Sequence, residues 1–316
     1  MKTLLDNGHS VVSTNGEIPE EEFDLALNFI PRSTDTRDRK EYQNLSCPVF
    51  WRCHDSNLHL ERDLETVKRY GADKVLVNTR KNVKKFESKG IEAFYFPYAF
   101  NTDMAKAASD KVKSDIFFSG KLSSEYSQRR SLANMLSDNF DCDFHTYRAP
   151  LITKLKYPPL EGLARNILSD NKLYHVIDSF VGLPEGVDSN PVPKSEYIEK
   201  LSESKLAFHC TNKHQQLELR PFEALGSKTC LLHNKSQAAD FVFNDMEHLV
   251  FYEDASNLKS KVERLLSNGD LRQKIAKAGQ SYVLDNHTYQ QRLNQLFDIF
   301  EGNFKKKDWE FRFSGT

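Results

Sequence analysis

Arg220 and Glu223 are the residues whose types and spacing point most directly to a ligand. They stand in Leu219-Arg220-Pro221-Phe222-Glu223-Ala224-Leu225-Gly226, followed at once by the apolar run Thr229-Cys230-Leu231-Leu232. Proline suits the first turn of a helix, where its missing N–H costs nothing, and Gly226 suits the exit, so the pattern predicts a very short helix and then a strand. Such a helix directs free backbone N–H groups and the positive end of its dipole at whatever precedes Pro221. Arg220 stands there with a fixed charge and a planar donor fork suited to phosphate. Glu223, one turn in, is placed to accept hydrogen bonds from a ribose diol. The plainer alternative is that Glu223 only complements the helix start while Arg220 pairs with a surface acid.

Three further places carry usable chemistry. Gly120 and Lys121 follow the apolar Asp115-Ile116-Phe117-Phe118, where a glycine lets backbone approach a ligand and a lysine supplies a cation. An ordinary strand-to-helix turn explains the same residues. Arg129 and Arg130 lie on the helix expected next, whose apolar face is Leu132, Met135 and Leu136. His54 and Asp55 follow Pro48-Val49-Phe50-Trp51-Arg52-Cys53, and open α/β sheets place ligands just past the carboxyl ends of strands. There too a simpler account exists, with Asp55 and Ser56 capping the following helix and His54 a strand-end histidine.

The elements that must position these residues alternate along the chain. Phe23 to Ile30 reads as a strand, Pro31 to Glu41 as a charge-dense loop, and Val49 to Cys53 as a strand. Next come a helix over Leu60 to Arg69 ending at Gly71, a strand Lys74 to Asn78, a helix Asn82 to Ser88 ending near Gly90, and a strand Ala93 to Phe96. After a junction near residues 102 to 112 the alternation resumes, with a strand candidate at Phe140 to Tyr147, a helix Gly162 to Leu173 and a strand Val176 to Leu183. Tyr197, Ile198, Leu201 and Lys205 then lie at helical spacing before the strand Leu206 to Cys210. Alternating strands and helices predict parallel sheets. Asp254 reads as a helix cap, and Leu258, Val262, Leu265 and Leu266, like Leu293, Leu296, Phe297 and Phe300, form core-facing stripes.

Composition bounds the answer. At 316 residues the chain passes the roughly 250 to 300 at which single cores stop growing, so two domains are expected. Lys+Arg 44 against Asp+Glu 45 gives a net charge of -1, which argues against a dedicated nucleic-acid binder. Five scattered cysteines suggest neither a disulfide framework nor a zinc site. No run approaches the roughly 18 apolar residues of a membrane span and no secretion signal opens the chain, so a cytoplasmic protein is expected. The basic Lys305-Lys306-Lys307 with Trp309, Phe311 and Phe313 reads as a terminus folding back on the body.

Taken in order, Tyr197-Ile198 to Phe208, Arg220 to Gly226, Leu249-Val250-Phe251-Tyr252 with Asp254 and Leu258, Ile275-Ala276-Lys277-Ala278-Gly279, and His287-Thr288-Tyr289 with Arg292 resemble the C-terminal domain of GT-B glycosyltransferases, particularly the spore-maturation-type group. The resemblance covers about the last third of the chain, is weaker over Phe117 to Arg130, and is only architectural in the first hundred residues. It implies an α/β fold of two Rossmann-like domains facing across a cleft. These would be an acceptor-side domain over 1–105, a nucleotide-sugar-binding domain over 106–290, and a final helix, Arg292 to Phe304, with the tail (291–316) packing back on the first. Glu223 matches the family's ribose-binding glutamate, Arg220 faces the diphosphate, and Gly120, Lys121, Arg129 and Phe222 join the donor site by the same resemblance. Two positions depart from the pattern: Gln215 stands where many retaining members carry a second glutamate, and the N-terminal domain lacks a first strand and glycine loop, so it is abbreviated or starts late.

The function implied is transfer of a sugar from a nucleoside-diphosphate donor to an acceptor hydroxyl, with helix dipoles and cations serving the leaving group, so neither metal nor cofactor is called for. His54 and Asp55 are the candidates for the base that activates the acceptor. Two alternatives stand beside it: a catalytically degenerate nucleotide-sugar-binding or scaffolding protein, favoured by Gln215, and a glycosyltransferase acting on modified DNA, weakened by the neutral charge. Donor sugar, base, acceptor and stereochemical outcome are not readable from the sequence.

Overall fold

The computed structural model describes residues 2–11, 22–29, 45–53, 56–108, 111–122, 126–146, 187–211 and 216–305. The expected loop at 31–41, the helix at 162–173, the strand at 176–183, His54, Asp55, Gln215 and the aromatic tail lie outside these residues. The chain divides into two compact units. Unit 1 is Met1–Phe100, His214–Leu219 and Asn286–Thr316, and unit 2 is Asn101–Lys213 and Arg220–Asp285.

Unit 1 contains α1 (Lys2–Asp6), β1 (Ala26–Phe29), β2 (Val49–Cys53), α2 (Ser56–Tyr70), β3 (Lys74–Val77), α3 (Arg80–Glu87), β4 (Ala93–Tyr95) and the final helix Tyr289–Phe300. The four strands among its described residues form one parallel sheet in the order β1-β2-β3-β4. A parallel sheet is stable when both faces are covered, which is why β2 is a nearly continuous apolar run. Trp51, Val75 and Val77 pack under α2 and α3 with Leu64, Val67 and Phe86, whereas Phe50 and Leu76 pack on the other face against Leu293, Leu296 and Ile299 of the final helix. Gly71 and Gly90 end α2 and α3 with φ of 74° and 75°, the left-handed conformation that glycine adopts without a Cβ clash. The final helix starts three residues before the expected Arg292, because Thr288 and Gln291 form a reciprocal capping box. Its last turn is met by Lys74 Nζ, which donates to Ile299 O at 2.7 Å.

Unit 2 runs β5 (Ser114–Ser119), α4 (Ser127–Ser137), β6 (Cys142–His145), α5 (Tyr197–Ser202), β7 (Ser204–His209), α6 (Leu219–Gly226), β8 (Cys230–Asn234), α7 (Gln237–Val242), β9 (Val250–Tyr252), α8 (Ala255–Ser267) and α9 (Gly269–Asn286). The five strands among its described residues are all parallel, in the order β6-β5-β7-β8-β9. The order reverses between β5 and β7, and a doubly wound sheet opens a crevice at the carboxyl ends on either side of such a reversal. On one face Ile116, Phe118, Leu206, Phe208 and Leu232 meet α4 and α8 through Leu132, Leu136, Leu258, Val262 and Leu265. The expected helix through Lys205 ends earlier, at Ser202. Lys205 belongs to β7 and pairs with Asp115 of β5 at 2.7 Å, a cross-strand ion pair. Phe241 and Val242 are helical because Ser236 caps α7. Asp254 caps α8, as its sequence context suggests. Gly279 of α9 packs so closely on the chain before β9 that a Cβ there would overlap the His248 carbonyl and come within 2.9 Å of Leu225 Cδ2. Among the described residues no helix is long and apolar enough to cross a membrane.

Candidate functional site

The carboxyl ends of β5 and β7 carry the groups that could meet a ligand in unit 2. α6 starts at Leu219, so Arg220 and Glu223 fall one turn apart on the same face. Arg220 Nη1 donates to Glu223 Oε2 at 3.0 Å, and the guanidinium carbon lies 4.0 Å from the centre of the Tyr197 ring. Arg220 thus does pair with an acid, but the acid is its own helix neighbour. The guanidinium thus rests on an aromatic face with a carboxylate on one edge, and the Arg220 side chain is 43% exposed. Glu223 is buried. Burial is the largest influence on its carboxyl and raises its pKa, against the opposing pull of Arg220 and Lys194. At the exit of α6 the left-handed residue is Lys228, with φ of 61°, and not Gly226. Gly226 is buried inside the last turn, where its carbonyl accepts from Gln280 Nε2 at 3.1 Å.

The loop after β5 is fixed by its own hydrogen bonds. Gly120 N–H donates to His145 O at 3.0 Å, and Leu122 N–H donates to Thr146 Oγ1 at 3.1 Å. A Cβ on Gly120 would come within 2.9 Å of the Phe118 ring, so close packing on that ring favours a glycine there. Lys121 is exposed. Arg129 is buried, and its fork is committed to backbone: Nε donates to Cys210 O at 2.8 Å, Nη2 donates to the same oxygen, and Nη1 donates to Lys121 O at 3.2 Å. It staples the loops that follow β5 and β7. Phe222 is fully buried with its ring against Phe243, 5.6 Å between centres, and so is a core side chain.

Three side chains at this end escaped sequence reasoning. Tyr197, read as part of a helical stripe, is the platform under Arg220. His209 and His233 are register partners on β7 and β8, with ring centres 4.9 Å apart and both buried. Burial pushes both imidazoles down, His233 to about 4, and His233 adds to the effect on His209. Each stands at the carboxyl end of an apolar strand, Leu206-Ala207-Phe208-His209 and Cys230-Leu231-Leu232-His233, and that shared position is the signal that could have found them. Between the sheet and α5 and α6, Ser119, Tyr197, His209 and Arg220 help to line a cavity of about 20 Å³, room for one water. This cavity is too small to hold a nucleotide.

Residues 172–298 match the family model described as glycosyl transferase-like. No curated protein matches the chain. Among solved structures, sucrose-phosphate synthase (tll1590) from Thermosynechococcus elongatus is similar with a TM-score of 0.56 at 14% identity, over 83% of this chain and 69% of that one. Anabaena Alr3699/HepE, solved in complex with UDP-glucose, gives 0.57 at 12% over 81% and 72%. An α,α-trehalose-phosphate synthase (UDP-forming) from Burkholderia vietnamiensis gives 0.57 at 12% over 84% and 68%. The likeness is one of fold: two Rossmann-like parallel sheets of the kind found in GT-B glycosyltransferases.

Proposed function

We propose that the protein transfers a sugar from a nucleoside-diphosphate donor to an acceptor hydroxyl, with the donor held in unit 2. The observation that carries this reading is the Arg220–Glu223 pair, stacked on Tyr197 beside the strand-order reversal and inside the glycosyltransferase-like segment. Arg220 offers its outward N–H groups to the diphosphate, Lys121 adds a second cation, and Glu223 accepts from the ribose. Developing charge on the leaving group is then met by fixed cations and the start of α6, and this is how the reaction dispenses with a metal ion or other cofactor. Arg129 positions the two loops and does not touch the donor. The acceptor base is assigned to His54 or Asp55, just after β2. Because the similar Anabaena protein was solved with UDP-glucose, UDP and UDP-sugars are the first ligands to try.

The test is a thermal-shift panel of nucleoside diphosphates and nucleotide sugars on wild type, Arg220→Ala and Glu223→Ala. A ligand at a hundred times its Kd stabilises by about 2.7 kcal/mol, and that gain should vanish in both variants. Equal stabilisation of all three proteins would show the donor to bind elsewhere. Tight binding without release of nucleoside diphosphate in the presence of any acceptor would favour the degenerate binding protein.

A further inference from the structure

Unit 1 holds a second polar cluster, at the carboxyl ends of β2 and β3. Arg52 is the lone charged residue of β2 and only 4% exposed. Its Nη1 is shut off from solvent without a hydrogen-bond partner. Among the described residues no carboxylate acts on it: the titratable groups that do are Tyr98, Cys53 and Tyr95, and burial brings its pKa down to about 10, so it stays charged. The guanidinium carbon lies 5.1 Å from the centre of the Phe96 ring and 5.9 Å from that of Tyr98. Aromatic faces stabilise the charge but leave the planar N–H groups without acceptors.

Strand register shows what stands beside it. Arg52 is level with Leu76 of β3, which is level with Phe94 of β4. Asn78 and Phe96 are the first residues past the carboxyl ends of β3 and β4. Arg52 of β2 reaches the Phe96 ring, just past β4, and β3, which Asn78 follows, lies between those two strands. Asn78 is 3% exposed, and its Nδ2 is enclosed with no partner. Asn82, in the first turn of α3, is 1% exposed with its Nδ2 in the same condition. Buried polar groups are nearly always paired, and these three are all donors. Donors without acceptors at the carboxyl edge of a parallel sheet define a place for a negatively charged oxygen group.

We propose that unit 1 binds an oxyanion, phosphoryl or carboxylate, against Arg52 and Asn78. Resting on the glycosyl-transfer reading above, this oxyanion belongs to the acceptor, which is an anionic sugar derivative and not a neutral one. The full-length protein is melted in inorganic phosphate, acetate or chloride at one ionic strength, as wild type, Arg52→Met and Arg220→Ala. Phosphate or acetate should raise the wild-type midpoint above chloride, and whichever does so names the anion. Arg52→Met should raise the half-saturating concentration by about tenfold or more, as loss of a charge-assisted contact does. Without anion its midpoint should equal or exceed that of wild type, because an unpaired buried charge has gone, whereas a purely structural arginine would lower it. Arg220→Ala should keep the oxyanion response and lose the UDP response. In UDP-release assays a hexose phosphate or hexuronate should outpace the neutral hexose, and Arg52→Met should erase that preference.

No wild-type response beyond chloride, an equal response in Arg52→Met, or an equal rate with neutral and charged hexoses would overturn the proposal. Failure of UDP to shift the wild type would instead strike the donor reading and leave the oxyanion site standing. Should Arg52→Met not fold, Asn78→Leu reads the same contact and is expected to weaken the oxyanion response.

Discussion

The two units finish their parallel strands differently. At the carboxyl end of the unit 2 sheet most polar groups are joined to one another, Arg129 to Cys210 O and Lys121 O, Gly120 N–H to His145 O, Thr211 N–H to Asn234 Oδ1, and Arg220 to Glu223, while His233 Nε2 is enclosed with no partner. At the corresponding end of unit 1, Arg52, Asn78 and Asn82 keep enclosed N–H groups with no partner. The first pattern is that of a preorganised surface, rigid before its ligand arrives and losing little entropy on binding. The second is that of a site completed by its ligand.

Replacing one buried arginine in each unit is the sharpest way to break this comparison. Arg129→Met strips the Cys210 carbonyl of two charge-assisted bonds and separates two loops, so about 3 kcal/mol of stability should be lost in urea unfolding. Arg52→Met removes a charge that no acceptor satisfies, and the expected change is near zero or a small gain. Equal losses in the two variants would erase the distinction between a joined and an open strand end.

Acid should weaken unit 2 through the His209–His233 pair. Both rings are held neutral, with folded pKa values below the ordinary value of about 6.5. The sign follows: their contribution is complete above that value and is lost as the pH falls toward the folded pKa, about 4 for His233. From about pH 8 to about pH 5, His233 alone should cost roughly 2 kcal/mol, since one full unit is worth about 1.4 kcal/mol. Urea midpoints measured across that range should fall, and His233→Leu should flatten the curve. An unchanged acid limb in the variant would show that another group controls it.

How much of this the sequence disclosed depended on whether the signal was local. The strands around Trp51, Val75 and Phe117, the stops at Gly71 and Gly90 and the cap at Asp254 were legible, because apolar runs and backbone-specific residues act over a few positions. The start of α6 and the Arg220–Glu223 spacing were legible for the same reason. The partners were not: Arg220 rests on Tyr197, more than twenty residues earlier, and Arg129 reaches the carbonyl of Cys210 across the sheet. Gly120 reads as a ligand loop because glycine gives one signal for two causes, and the Phe118 ring packed against it is a cause that needs no ligand. Arg52 passed unnoticed as a charge within an apolar strand. Its missing partner is a three-dimensional fact.

The smallest expected change is also the most specific. Arg220→Lys keeps the charge beside Glu223 but removes the planar fork that lies on Tyr197 and offers paired N–H groups to a diphosphate. Because the Arg220 side chain is 43% exposed, solvent screens the pair, and apo stability should move by less than about 1 kcal/mol. The midpoint shift produced by UDP should nevertheless shrink by more than half, since a point-charge ammonium replaces a bidentate contact. A lysine variant that responds to UDP like wild type would mean that charge alone serves at this position, and the geometry of Tyr197, Arg220 and Glu223 would then have to be explained by the packing of α6 on α5.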